Sequence, residues 1–176
     1  METVRKVVEP IIMKNVNIPY NTERWHPRNF QGIELNRFSR EGDRNFCIFL
    51  DPEQIDCEKL IEDGWNIKVN RNEADPMAEP SYMLRVKVKF HSKDSELARL
   101  NPKVLVVTSK GEMMLDENNI GDLDNAQIVK ANLTIKGRWS ESSTYTGITA
   151  YLSKMVVRVY EDEGDLDDLK EGIMDD

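Results

Sequence analysis

Histidine and cysteine are scarce in this sequence, and their scarcity excludes several kinds of site. The two histidines, His26 and His91, lack the spacing of a metal-ligand set or a catalytic triad. The two cysteines, Cys47 and Cys57, form no CxxC pair, so we expect free thiols and a reducing compartment. Phosphate-binding motifs of the GxxxxGKS/T and GxGxxG types are missing, and no pair of carboxylates lies on an apolar face. The sequence therefore predicts a protein that is not an enzyme and that uses no metal or cofactor.

Long apolar runs are also missing. No run approaches the 18 or so residues that a membrane-spanning helix needs, and the first ten residues, METVRKVVEP, lack the apolar core of a signal peptide. We therefore expect a cytoplasmic protein that does not associate with membranes.

Charge is distributed unevenly along the chain. Residues 161–176 contain nine acids and one base, which accounts for the whole net charge of −8. Residues 1–160 therefore contain 23 acids and 23 bases. This division predicts a neutral folded domain over 1–160 and a disordered acidic tail over 161–176.

Much of the domain alternates between apolar and polar residues, as half-buried strands do. The alternating segments are NFCIFL (45–50), WNIKV (65–69), YMLRVKVKF (82–90), KVLVVTS (103–109), NLTIKG (132–137), ITAYL (148–152) and KMVVRVY (154–160). About seven short strands separated by turn residues predict a mainly β fold, either a barrel or a sandwich of antiparallel strands.

One helix is expected between the first two strands. Asp51 can cap it, Pro52 suits its first turn, and Gln54 can complete a capping box. Gly64 is placed to end it in the left-handed conformation. Residues 19–44 and 70–81 are polar and contain prolines, so we expect extended loops there.

The strand at 82–90 is the first candidate binding element. Its alternation places Tyr82, Leu84, Val86, Val88 and Phe90 on one face, and Arg85, Lys87 and Lys89 on the other. Three cations on one strand face favour an anionic ligand such as the phosphates of a single strand. A solvated face with acidic partners on neighbouring strands is the alternative.

The loop at 24–44 is the second candidate, because cations and aromatic rings alternate along it. Cations suit phosphates and flat rings suit bases, as single-stranded nucleic acid requires. Its candidate residues are Arg24, Trp25, Arg28, Phe30, Arg37, Phe38, Arg40 and Arg44. The alternative is that the aromatic rings only fix the loop to the domain.

A predicted hairpin at 132–152 adds Lys136, Arg138, Trp139 and Tyr145, and Lys68 joins the set from the segment 65–69. Trp139 shares its alternation with Leu133 and Ile135, so packing in the core is an alternative that the pattern somewhat favours.

The acidic tail has two interpretations. It can be a solvated segment that aids solubility, or a binding segment for protein partners that also competes for the basic surface. The residues that would contact a partner are Leu166, Asp167, Asp168, Leu169, Ile173, Asp175 and Asp176.

Several ordered segments resemble a family of bacteriophage single-stranded-DNA-binding proteins. They are NVNIPY (15–20), NFQG (29–32), GDRNFCIFLD (42–51), DGWNIKV (63–69), PKVLVVTSKG (102–111) and TGITAYL (146–152). The resemblance covers most of residues 14–161. It implies an OB-fold-like Greek-key barrel with one short helix and extended loops and hairpins.

The same resemblance implies sequence-tolerant binding of single-stranded DNA in phage replication and recombination. It also implies that the acidic tail contacts replication or recombination proteins, and a homo-oligomer is possible. Many single-strand-binding proteins end their acidic tail with an aromatic residue that docks in partner proteins. This chain differs, because Ile173 to Asp176 include no aromatic residue. A non-enzymatic interaction module that recruits a partner through the tail, and an RNA-binding protein, are the alternatives.

Overall fold

The computed structural model describes residues 8–32, 43–75 and 77–160. Within these residues the chain forms nine strands, one α-helix and two short 3-10 helices. The strands are β1 (Ile11–Val16), β2 (Arg28–Asn29), β3 (Arg44–Leu50), β4 (Ile67–Asn70), β5 (Ser81–Val88), β6 (Lys103–Thr108), β7 (Gly111–Leu115), β8 (Gln127–Glu141) and β9 (Thr146–Tyr160). The helix α1 is Cys57–Asp63, and the 3-10 helices are Glu96–Leu100 and Ile120–Asp124. None of the described helices has the length and apolar character needed to cross a bilayer.

All nine strands belong to one sheet. Its main path runs β1, β8, β9, β5, β3, β2, with β4 also paired to β5, and with β6 paired to both β9 and β7. Most pairs are antiparallel, whereas β9 pairs in parallel with β5 and β6. The mainly β fold with one α-helix is therefore confirmed. In the described residues, β1 and β2 at the ends of the path do not pair with each other, so the sheet is open.

The hairpin of β8 and β9 is the longest element of the sheet. Each strand has 15 residues, and their register runs from Gln127 opposite Tyr160 to Glu141 opposite Thr146. The prediction of two separate strands at 148–152 and 154–160 is wrong, because β9 continues through Ser153 with a bulge between two of its pairs. A bulge adds a residue without ending the strand, and it shifts the local alternation that sequence reasoning follows.

The helix is present, but it begins later than predicted. Asp56, not Asp51, is its N-cap, and its carboxylate accepts a hydrogen bond from Lys59 N at 3.1 Å. Asp51 instead accepts from Glu53 N in the preceding turn. Gly64 ends the helix as predicted, with a φ of 111° that favours glycine.

The core lies on one face of the sheet, which we call the inner face. Side chains from β1, β3, β5, β8 and β9 fill it, and Trp65 is buried there at 4% exposure. The opposite, outer face of β5, β8 and β9 carries mostly polar and charged side chains. This arrangement decides which cations can meet a ligand.

Candidate nucleic-acid interface

Strand β5 has the two-faced character that its sequence predicts. Tyr82, Leu84, Val86 and Val88 are buried in the core, whereas Arg85 and Lys87 are exposed on the outer face, and Lys89 continues that face beyond the strand. The inner residues anchor the strand by burial of apolar area. Packing of the inner residues therefore fixes the backbone positions of the outer residues, whose side chains are exposed.

A row of four residues crosses the outer face at the level of Lys87. Asn45 of β3 lies opposite Lys87, Lys87 pairs in parallel with Tyr151 of β9, and Tyr151 lies opposite Lys136 of β8. Neighbouring strands lie about 4.8 Å apart, so the row spans about 14 Å. The half-buried ring of Tyr151 thus lies between two exposed lysines.

The other outer-face cations surround this row. Arg138 lies opposite Thr149, one outward position along β9 from Tyr151, and Lys68 of β4 lies opposite Met83. We call the six cations the β5 basic surface. Its members are Lys68, Arg85, Lys87, Lys89, Lys136 and Arg138. Cations that are distant in sequence therefore share one face of the sheet.

A cavity of about 350 Å³ opens beside this row. Lys89, Lys136, Arg138 and Tyr151 line it together with the chain between β5 and β6. Leu97 and Leu100 of the first 3-10 helix, Glu96–Leu100, supply the apolar wall of the cavity, and they are 45% and 46% exposed. An apolar wall, an aromatic ring and three cations within one cavity match the chemistry of a nucleotide, with its flat base and its phosphate.

Electrostatic conditions on the face favour an anion. Among the residues that the structure describes, none of the six cations has a carboxylate within salt-bridge distance; Arg85 donates a hydrogen bond to the amide oxygen of Asn45. Burial raises the pKa of the neighbouring Cys47 thiol, while the positive charges of Arg85 and Lys68 oppose that rise. The cations are thus available to phosphates, which bind through charge-assisted contacts.

Two aromatic rings form a corner at the β3 side of this face. The Trp25 and Phe49 ring centroids lie 6.3 Å apart at an interplanar angle of 60°, and both rings are half-buried. Phe49 lies opposite Met83, in the same cross-strand level as Lys68. Arg24 is exposed beside Trp25. This corner places a flat apolar surface next to the cations.

Arg28 is not available to DNA, which corrects the prediction from the loop composition. Its side chain is only 1% exposed. Its guanidinium donates to the carbonyl oxygens of Pro19, Ile18, Leu123 and Ala126 at 2.6–3.1 Å. Burial lowers the pKa of Arg28. The guanidinium connects β2 to the backbone at 18–19 and to the backbone at 123–126.

Phe30 also serves the interior, so the prediction that it contacts DNA is wrong, whereas Arg44 is half-buried and its contact with DNA stays a prediction. Phe30 is fully buried and stacks on Phe46, with centroids 4.8 Å apart. Arg44 lies opposite Val88 at the inner parity of β3, and its guanidinium donates to Phe30 O and Glu117 O. The aromatic alternative for the loop, that its rings fix it to the domain, therefore holds for Phe30.

Trp139 lies on the face opposite to its neighbour Arg138. It pairs with the buried Ile148, packs against the core, and donates from Nε1 to Glu141 at 2.9 Å. Trp139 is half-buried, which favours the core alternative, and its contact with DNA stays a prediction. Tyr145 lies near the hairpin tip, 36% exposed, with its hydroxyl donating to Ile148 O at 3.1 Å. It lies outside the row around Tyr151.

Some predicted residues lie outside the described part of the chain. They are Arg37, Phe38 and Arg40 of the loop, and Leu166, Asp167, Asp168, Leu169, Ile173, Asp175 and Asp176 of the tail. Conversely, sequence reasoning missed Tyr151 and Phe49. The alternation of ITAYL, with Ile148, Ala150 and Leu152 inward, was the signal that could have identified Tyr151 as an outward ring.

No metal centre accompanies this surface in the part of the chain that the structure describes, since no three His, Cys, Asp or Glu side chains there are grouped as ligands. The outer face therefore offers cations, amide and hydroxyl groups, and aromatic rings. This set is suited to reversible binding of a polyanion that carries flat rings.

Comparisons with known proteins concern the fold and the family. Two solved structures of the single-stranded DNA-binding protein from bacteriophage Enc34 have a similar fold at 14% identity. The complex with ssDNA aligns with a TM-score of 0.53 over 87% of this chain and 88% of that one. The C-terminal truncation aligns with a TM-score of 0.51 over 87% of both. The fold class is thus the OB-like one of these phage proteins. No curated protein sequence is significantly similar. A family model described as a phage ssDNA-binding domain matches residues 4–170, so the chain belongs to that family.

Proposed function

We propose that this protein binds single-stranded DNA with little sequence preference, through the β5 basic surface, and coats the strand during phage replication or recombination. The row that runs from Lys87 through Tyr151 to Lys136 is the observation that supports this most strongly. It places an aromatic ring between two cations, as a stacked base between two phosphates requires.

The two kinds of contact have different roles in this proposal. Lysine and arginine contacts to phosphates provide affinity without reading sequence, and they weaken as salt rises. Stacking on Tyr151, and on the Trp25–Phe49 corner, accepts any base because every base has a π-face. Sequence tolerance therefore follows from the residue types on the surface.

The activity that we propose is binding of DNA without catalysis. The cations and rings of the outer face hold a strand, and single-strand coating needs no bond to be made or broken. The family model that matches the chain is described as a phage ssDNA-binding domain, which supports this proposal.

The acidic tail at 161–176 has a second role in the proposal. Its nine acids can compete with DNA for the cations, because a tethered segment acts at roughly millimolar effective concentration. Leu166, Leu169 and Ile173 can then contact replication or recombination proteins once DNA displaces the tail. The setting is the cytoplasm of the host bacterium.

The proposal is tested by titrating a labelled oligo-dT with the full chain at two salt concentrations. We expect submicromolar binding at low salt. If all six cations contact phosphates, log Kd should change with log salt by a slope of up to about 4, at about 0.7 per contact. Lys87→Glu with Lys136→Glu should weaken binding by at least about tenfold.

The matched control reverses two exposed cations away from this face, Lys59→Glu and Arg71→Glu, with the same change in net charge. It should leave the Kd for oligo-dT within about twofold of the unmodified protein. Equal losses in both variants would mean that net charge alone governs binding and would overturn the proposed surface. An oligo-rU of the same length distinguishes RNA from DNA as the preferred ligand.

A further inference from the structure

A second group of cations lies farther along the same outer face, and none of its members was predicted as a site. Lys103 of β6 pairs with Lys154 of β9, and Lys130 of β8 lies opposite Arg158 of β9. All four side chains are exposed. We call them the distal stripe.

The pairing within the distal stripe is unusual for a structural surface. Like charges directly opposite each other on neighbouring strands destabilise a sheet, and here two such pairs include residues of β9 that are about four positions apart, Lys154 and Arg158. Within residues 8–32, 43–75 and 77–160, no carboxylate lies within salt-bridge distance of any of the four. Glu112 of β7 is opposite Val107 of β6, and Val107 is opposite Arg158 of β9. Glu112 is therefore two strands away from Arg158, a distance of about 10 Å. The arrangement is thus suited to an external anion.

The space between the cations can receive more than a point charge. A concave region of about 480 Å³ lies over β6, β8 and β9, with Lys130 and Arg158 among its lining residues. Its apolar lining comes from Val107, Val129 and Val156, and Asn132 adds a polar amide. Cations beside an apolar floor match a phosphate with its attached base better than a free inorganic anion.

The distal stripe is continuous with the β5 basic surface. Arg138 lies opposite Thr149, and Arg158 is nine residues farther along β9, or about 30 Å. Lys136 and Lys154 lie between these ends on the outer face of the same hairpin. Because β8 and β9 are one uninterrupted ribbon, both groups of cations keep a fixed relative position.

We infer that the distal stripe is a second contact surface for single-stranded DNA, which a strand reaches after it leaves the β5 basic surface along the β8–β9 ribbon. This inference rests on the proposed function. It predicts that long oligonucleotides engage both surfaces and short ones engage only the first.

The test compares oligo-dT of about four nucleotides with oligo-dT of about twenty. The first length is at the lower end of the site-size range of OB folds, and the second is beyond its upper end. The variant is Lys130→Gln with Arg158→Gln in the full chain, and the control is Lys59→Gln with Arg71→Gln. Neutralising one cross-strand pair removes a repulsion, so the variant should fold, and its Tm should equal or exceed that of the control.

We expect the variant to bind the long oligonucleotide about tenfold more weakly, with a salt slope lower by about 1.4, which corresponds to two lost phosphate contacts. Its affinity for the short oligonucleotide should stay within about twofold. A long-oligonucleotide affinity equal to the control would overturn the inference. So would an equal loss for both lengths, which would make the distal stripe part of one compact site.

Two further results are informative. Tighter binding by the variant would also overturn the inference, because it would show that the distal stripe holds the chain's own acidic tail. Failure of the unmodified protein to bind either length would instead refute the proposed function itself, and that result is distinct from the three results above.

Discussion

Replacing Tyr151 with leucine removes the aromatic ring that lies among the cations of the β5 basic surface and leaves every charge in place. Tyr151 lies between Lys87 and Lys136 in the four-strand row, with its ring half-buried on the outer face. Its backbone is held by pairing on both sides, so the substitution should leave β9 intact. The change therefore tests stacking separately from electrostatics.

The expected size follows from the geometry. Stacking of one base on an aromatic side chain contributes about 1–3 kcal/mol. Because Tyr151 is half-buried, we expect its stacking contribution to be about 1.5 kcal/mol, in the lower part of this range. Loss of that contribution weakens binding roughly tenfold. The salt slope should not change, since no phosphate contact is lost.

The assay is an equilibrium titration of labelled oligo-dT by fluorescence anisotropy at three salt concentrations. Tyr151→Phe is the matched control, because it keeps the ring and removes only the hydroxyl, and its Kd should stay within about twofold. A Tyr151→Leu protein with unchanged affinity would refute the role of the ring. A reduced salt slope would show that the substitution had instead displaced the neighbouring lysines.

Two other predictions concern stability and the tail. Arg28→Met leaves four buried or part-buried carbonyl oxygens without their donor, so we expect a loss of about 3–5 kcal/mol and a Tm lower by roughly 10 °C, measured by thermal unfolding. The exposed Arg24→Met is its control and should leave the Tm nearly unchanged; similar shifts in both would contradict a structural role for Arg28. Replacing the nine tail acids in 161–176 with their amides should tighten oligo-dT binding at low salt, and an unchanged Kd would leave only a solubilising role.

Local alternation was sufficient to predict the functional strand. Residues 82–90 alternate without interruption, and period-2 geometry alone separates Leu84 and Val86 from Arg85 and Lys87. Gly64 was likewise predictable as the end of the helix, because few other residues adopt its φ of 111°. These features depend on neighbours in sequence.

The row around Tyr151 depends on register, which no local pattern contains. Lys87 meets Tyr151 only because β9 crosses beside β5 in parallel, and Lys136 joins them only through the hairpin pairing. The bulge near Ser153 further obscures the alternation of β9. Sequence reasoning could therefore identify each cation but could not assemble them.

Composition misled the interpretation of the loop. Arg24 and Arg28 look equivalent in a run of arginines and aromatics. Arg24 is exposed, whereas Arg28 is buried and its guanidinium donates to four carbonyl oxygens. A buried arginine needs several carbonyl acceptors that converge from distant segments, here including Leu123 and Ala126. That convergence is visible only in the folded structure.

The most direct test of the account is the salt dependence of oligo-dT binding by the unmodified protein and by Lys87→Glu with Lys136→Glu. The account predicts submicromolar binding at low salt, and a variant that binds at least about tenfold more weakly with a reduced slope. A variant with the same Kd and the same slope as the unmodified protein would contradict it.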